Sequence, residues 1–138
     1  MKLFLDANVI FTAAYSSQGL SRGLFQLAAV GKCALCTSAF AYEEVVKNIQ
    51  KKAPVKFAEL TTLMQQLDIL PEPHPQWINR AARLPLAAKD APVLAAAFQG
   101  KIDIFVTGDR RDFGHLFGEV LEGVEILTPA DALEAVIR

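Results

Sequence analysis

Histidine and cysteine are scarce in this chain, two of each in 138 residues. That shortage argues against a secreted disulfide scaffold and against a zinc centre built from imidazole and thiolate. Cys33 and Cys36 do form a CxxC, but in CALC they lie in an apolar, strand-like run. A redox pair needs to open a helix, so ordinary packing is the better reading. His74 sits inside the turn segment PEPHP, and His115 reads as a packing or surface residue. Neither has a serine–acid partner that would complete a hydrolytic triad. Net charge is also nearly absent: fourteen basic against fifteen acidic residues leave −1. The balance gives no global pull toward nucleic acid, although metal ions or a local basic patch can attract a phosphate backbone. Missing too is any apolar run of membrane-spanning length. The alanine-rich stretch 87–98 is interrupted by Lys89, Asp90 and Pro92, and MKLFLDANVIF lacks the h-region and cleavage segment of a secretory signal. The expected location is therefore the cytoplasm, with no membrane partner.

Apolar residues, by contrast, make up 52% of the chain, and its length suits a single domain over 1–138. A chain of this size buries roughly two thirds of its extended surface. KLFL at 2–5 reads as a strand ending at Asp6, followed by a short helix through Val9, Ile10, Ala13 and Ala14. Ser21 is the expected cap of a second helix, which Gly31 terminates. CALCT at 33–37 is the next strand, and Ser38 caps a helix through Val45 and Ile49. Pro54 opens another helix, a short apolar piece comes next at Ile69-Leu70, and PEPHP turns the chain before a helix around Trp77. Residues 86–100 read as helical, with Pro92 tolerated only in the first turn. IDIFVT at 102–107 is a strong strand, Leu116–Leu121 a short helical region, and VEIL at 124–127 the last strand. Thr128 then caps a terminal helix opened by Pro129. Phe25, Phe40, Phe57, Leu60 and Trp77 are expected in the core. Strands alternating with helices predict an α/β fold with a mostly parallel sheet covered on both faces.

Acidic residues recur at telling places. Asp6 follows the first strand and Asp109, in VTGD, follows the strand 102–106. Ligands of open α/β sheets bind beyond the C-terminal strand ends, so these two carboxylates can meet despite their separation in sequence. Gly108 permits a tight exit there. One helical turn would put Asp112 on the same side as Asp109, while a salt-bridge network with Arg110 and Arg111 is the plainer account. Asp90, just before Ala91-Pro92, either caps a helix or joins an acidic cleft. On the helix 40–49 the apolar side centres on Ala41, Val45 and Ile49, which leaves Glu43 in solvent and brings Glu44 nearer the cleft. Converging carboxylates repel one another, and a hard divalent cation, Mg2+ or Mn2+, would relieve that repulsion with oxygen ligands alone.

The ordered set LDAN at 5–8, YEEV at 42–45, KDAP at 89–92 and VTGDRRDF at 106–113 resembles the PIN-domain family, especially the single-domain toxins of prokaryotic toxin–antitoxin systems. The resemblance covers nearly the whole chain. It implies a Rossmann-like three-layer α/β/α sandwich and metal-dependent endoribonuclease activity on RNA. Asp6, Asp90, Asp109 and Glu44 would then be the catalytic, metal-holding acids, with Glu43 the alternative to Glu44. Asp112 resembles the accessory acid, Asn8 supports Asp6 or contacts the cleft, and Thr107 orients Asp109 or contacts phosphate. An antitoxin protein and a homodimer are the partners the resemblance implies. Arg22, Lys32, Lys47, Lys51, Lys52, Lys89, Arg110 and Arg111 are candidate RNA contacts, beside the plainer reading that most serve solubility. The competing readings are a noncatalytic acidic-cleft interaction module and another metal-dependent phosphoesterase or DNA nuclease.

Overall fold

A computed structural model describes residues 1–138. Six strands form one sheet: β1 (Lys2–Leu5), β2 (Ala34–Ser38), β3 (Leu67–Leu70), β4 (Ile104–Val106), β5 (Val120–Leu121) and β6 (Val124–Leu127), in the order β3-β2-β1-β4-β6-β5. All pairings are parallel except β5 with β6. The helices are α1 (Ala7–Tyr15), α2 (Leu20–Ala29), α3 (Ala39–Lys52), α4 (Phe57–Met64), α5 (Pro75–Ala82), α6 (Ala91–Gln99), α7 (Arg110–Phe113) and α8 (Pro129–Ile137).

The central strands read as unbroken apolar runs because both faces of the sheet are covered. Leu3 and Leu5 of β1 point into one cluster with α1, α2, α3, α4 and α8, whereas Phe4 points into a second with α6. β4 divides in the same way, Ile104 and Val106 to the first cluster and Phe105 to the second. Phe105 lies between Phe4 and Phe113, each at 5.3 Å between ring centroids. This is the three-layer α/β/α sandwich with a mostly parallel sheet expected from the strand–helix alternation.

Several helix starts follow the local chemistry. The Ser38 hydroxyl accepts from Ala41 N at 3.1 Å and that of Thr128 from Asp131 N at 3.2 Å, each satisfying a free amide of the first turn. Pro92 falls in the first turn of α6, preceded by a 3-10 turn at Ala88–Asp90. Three expectations need correction, and one, the apolar piece Ile69-Leu70, is extended. Ser21 is not a cap: α2 starts one residue earlier, from an extended Gly19, and Ser21 is buried inside it. Ile69-Leu70 belongs to a full edge strand, β3, paired with β2. Val120 and Leu121 are not helical. Glu122 and Gly123 both adopt positive φ, 50° and 80°, the conformation of a two-residue hairpin loop, which folds β5 back onto β6. Finally, Phe40 and Phe57 are not core residues, since 51% and 39% of their surfaces remain exposed. Phe25 and Leu60 are buried as expected.

Candidate active site

Chain order along the sheet reverses between β1 and β4: β2 and β3 lie to one side of β1, and β4, β6 and β5 to the other. A crevice forms at such a point, outside the carboxyl ends of the strands. It holds a recess of about 330 Å³.

Asp6 stands at its floor. The Asp6 N–H donates to Val106 O at 3.0 Å, so the β1–β4 pairing runs one residue past the strand and fixes where the side chain emerges. The residue is only 9% exposed. Its Oδ1 accepts from Ala7 N at 2.9 Å, capping α1, and its Oδ2 accepts from Thr107 Oγ1 at 2.9 Å and Asn8 Nδ2 at 3.0 Å. Burial raises its pKa above the ordinary carboxylate value; the bonds from Thr107, Ala7 and Asn8 oppose the shift, while the charge of Glu44 adds to it.

Asn8 and Thr107 join the two strand ends. Asn8 Nδ2 also donates to Thr107 Oγ1 at 3.2 Å, and Asn8 Oδ1 accepts from Gly108 N at 2.7 Å. A Cβ on Gly108 would stand 3.2 Å from Asn8 Oδ1, which is why the chain carries glycine where it passes so close. Thr107, fully buried, accepts in turn from Asp109 N at 3.1 Å. Asp109 also lines the recess, and its Oδ1 caps α7 by accepting from Asp112 N at 3.0 Å.

Asp90 enters from the opposite side, at the start of α6. It lines the recess but makes no capping bond, and its Oδ2 is buried without any hydrogen-bond partner. Desolvation pushes its pKa up to about 6, helped by the charges of Asp112 and Asp6 and opposed by Lys89. Glu44 reaches the wall from α3, and Glu43 is not part of that wall. Asp112 is not a wall residue either. It pairs with Lys89 Nζ at 3.4 Å, and although desolvation works upward on it, the Lys89 interactions hold its pKa below the ordinary value. The same contact raises the pKa of Lys89, which does line the recess.

Asp6, Glu44, Asp90 and Asp109, from four remote segments, therefore face one cavity. They are not drawn tightly together, and no three His, Cys, Asp or Glu side chains stand close enough for joint coordination. As a donor set they offer carboxylate oxygen alone, with one oxygen unsatisfied, which fits a hard divalent cation better than zinc. Sequence reasoning missed Phe40, Asn48 and Phe11 on the walls. The signal for two of them was present, since Phe40 and Asn48 lie four residues either side of Glu44 on one helix.

Comparison with known proteins places residues 2–111 in a match to the family model described as the PIN domain. No curated protein sequence matches. Among solved structures, VapBC2 from Rickettsia felis bound to a DNA fragment from their promoter superposes with a TM-score of 0.69, at 14% identity, over 93% of this chain and 98% of that one. PAE2754 from Pyrobaculum aerophilum superposes with a TM-score of 0.68, at 15% identity, over 99% of this chain and 96% of the other. Likeness at that identity is likeness of fold.

Proposed function

This chain belongs to the PIN domain family, and we propose that it is a divalent-metal-dependent endoribonuclease, the toxin of a toxin–antitoxin pair, acting as one domain over residues 1–138. The observation that carries this reading is the meeting of Asp6, Glu44, Asp90 and Asp109 in one recess across the β1–β4 switch, with an oxygen of Asp90 left unbonded.

Asp6, Asp90 and Asp109 would hold Mg2+ or Mn2+ between them, one or two directly and the remainder through its waters, with Glu44 and Asp112 binding directly or through water. The spread of the carboxylates suits magnesium, which keeps several of its waters and takes only one or two carboxylates directly. When bound, such an ion supplies a water of lowered pKa and offsets charge developing on phosphate. The protein's own part is positioning. Thr107 and Asn8 lock the Asp6 carboxylate in one orientation, Gly108 brings the β4 exit against them, and Lys89, paired with Asp112 in the free chain, would turn to a phosphate oxygen. Hydrolysis then forms one bond from water oxygen to phosphorus and breaks one from phosphorus to a ribose oxygen, with the water's proton balancing the released alkoxide. No side chain here has the surroundings of an activated nucleophile, so direct attack by water suits the residues present.

The partners rest on the same premise. The Rickettsia felis relative is solved as VapBC2, which supports an antitoxin protein for this chain as well. A homodimer belongs to the same reading. No helix is long and apolar enough to cross a membrane, and we place the activity in the cytoplasm.

One observation favours a second reading. The absence of three donors within joint reach suits an acidic cleft that binds a partner without turnover. The two separate in one experiment: labelled RNA and DNA incubated with wild-type protein, Asp6→Asn and Asp109→Asn, in Mg2+, Mn2+ or chelator. Metal-dependent RNA cleavage lost in both variants supports the nuclease. Equal cleavage by variants and wild type rejects it, and products from DNA alone or from simple phosphoesters assign another hydrolase.

A further inference from the structure

The wall of the recess opposite α6 is a single stripe of α3. Phe40, Glu44, Asn48 and Lys52 recur every fourth residue, so all four project from one side of the helix into the same cavity. At ~1.5 Å per residue the stripe runs for about 18 Å, longer than one nucleotide. Its chemistry is graded. Phe40, beside the strand ends, is half exposed in the first turn of α3. Glu44 belongs to the acids, Asn48 offers an amide with donor and acceptor, and Lys52 closes the far end. The second side is contributed by α1, where Lys52 Nζ stands 5.9 Å from the centre of the Phe11 ring and Phe11 stacks on Tyr15 at 6.0 Å with 13° between planes.

The half-exposed Phe40 ring beside the acids leaves a flat apolar face of the groove open to an occupant. A flat apolar ring, an amide and a cation in sequence along a groove is the pattern that grips a single strand, with a base on the ring and phosphate on the ammonium. A duplex is a poor occupant, because its base faces are already covered by neighbouring bases. A wholly apolar peptide helix is also a poor fit, since Glu44, Asn48 and Lys52 would be buried against it unpaired.

Resting on the nuclease reading above, we propose that the α3 stripe is a substrate track specific for unpaired RNA. In it Phe40 stacks the base beside the scissile phosphate, Asn48 contacts the next base edge, and Lys52 pairs a phosphate further along. Lys89 lies among the acids across the recess, so the scissile phosphate sits between two cationic flanks.

The test uses the full chain and labelled RNA 20-mers, unpaired or annealed, with one abasic site moved along the strand. Phe40→Leu keeps apolar bulk and should lower kcat/KM on the unpaired strand about 5- to 100-fold, the range carried by stacking one base on an aromatic ring. Phe40→Trp should stay within about threefold of wild type. One abasic position should impair wild type and add nothing to the Phe40→Leu defect, a coupling that a merely structural role would not produce. Lys52→Gln should flatten the log–log dependence of affinity on salt by about 0.7, the value of one single-strand phosphate contact. If wild type cleaves RNA in a metal-dependent way while Phe40→Leu and Lys52→Gln match it in rate and salt slope, the track is wrong and the nuclease stands; the stripe then falls to a protein partner. If wild type cleaves no RNA, both fall together. Equal rates on unpaired and annealed strands overturn the track as well.

Discussion

Asp90→Asn should make this protein more stable at neutral pH while removing a carboxylate from the recess. In the folded chain the Asp90 carboxyl titrates at about 6 against an ordinary 3.8, because it is desolvated and faces Asp112 and Asp6. A raised carboxyl pKa means the folded state holds the proton more tightly than the unfolded state. Stability therefore falls as pH rises from about 4 through about 6, and the penalty is complete above that. At ~1.36 kcal/mol per pH unit the ceiling is about 3 kcal/mol; Asp90 is partly exposed, and solvent screening brings the expected figure to about 1–2 kcal/mol. For 138 residues, an unfolding entropy of about 2.1 cal/mol/K each converts that to a Tm gain of about 3–7 °C. The assay is thermal melting of wild type and Asp90→Asn in chelator at pH 7.5 and pH 4. The gain should appear at pH 7.5 and largely vanish at pH 4, where the wild-type carboxyl is already protonated. Adding Mg2+ should then raise the wild-type Tm more than that of the variant, because a ligand that binds only the folded state stabilises it. An equal gain at both pH values would point to a better helix cap instead of relieved charge. No gain at pH 7.5 would refute the desolvation argument outright.

Asp6→Asn should lower metal-dependent cleavage by at least about 1,000-fold, the equivalent of ~4 kcal/mol of lost transition-state stabilisation, with near-wild-type circular dichroism as the check on folding. Thr107→Val removes a hydroxyl that donates to Asp6 and accepts from Asn8 and Asp109 N, and should cost about 1–3 kcal/mol in urea unfolding. It should also push the Asp6 carboxyl further up, visible as a carboxylate titration shifted to higher pH in 13C NMR. Phe105→Ala empties the fully buried space between Phe4 and Phe113 and should cost about 3–5 kcal/mol by the same denaturation measurement. Gly123→Ala, at a φ of 80°, should cost about 1 kcal/mol and leave cleavage unchanged, since the β5–β6 hairpin lies away from the recess.

The sheet was legible because burial on both faces writes a simple signal, the apolar runs LFL at 3–5 and IFV at 104–106, the first followed at once by Asp6 and the second three residues on by Asp109. The strand-end positions of Asp6 and Asp109 came from the same runs. Hairpin geometry was not legible. Glu122-Gly123 carries only one residue that favours positive φ, so the pattern Leu116–Leu121 read as helical until the strand register showed Val120 opposite Glu125. Ser21 misled because a good capping residue two positions from the true cap, Gly19, outranks a bare glycine by propensity. Phe40 and Phe57 were lost for a different cause. Hydrophobicity alone cannot separate a ring that packs inward from one that waits on a surface, and only helical phase relative to Ala41, Val45 and Ile49 sets Phe40 apart.

Helical phase at Phe40 also ties stability to the site. A buried carboxylate at Asp6 and an unbonded oxygen on Asp90 each break a rule that nearly all of the chain obeys, and the half-exposed ring of Phe40 stands beside them. The two desolvated acids lower the stability of the protein by themselves, the ring gains little from burial, and all three face one recess of about 330 Å³. Scattered over the surface they would be three unrelated defects. Gathered around the switch between β1 and β4, they are complementary to one kind of visitor, since a cation satisfies the two acids and a base covers the ring. Local rules are expected to fail where structure has been given over to function. Asp90→Asn should therefore raise stability while lowering RNA cleavage, and Phe40→Leu should lower cleavage while leaving stability within about 0.5 kcal/mol. A pair of variants in which both quantities fall together would show that these residues serve the fold and not the recess.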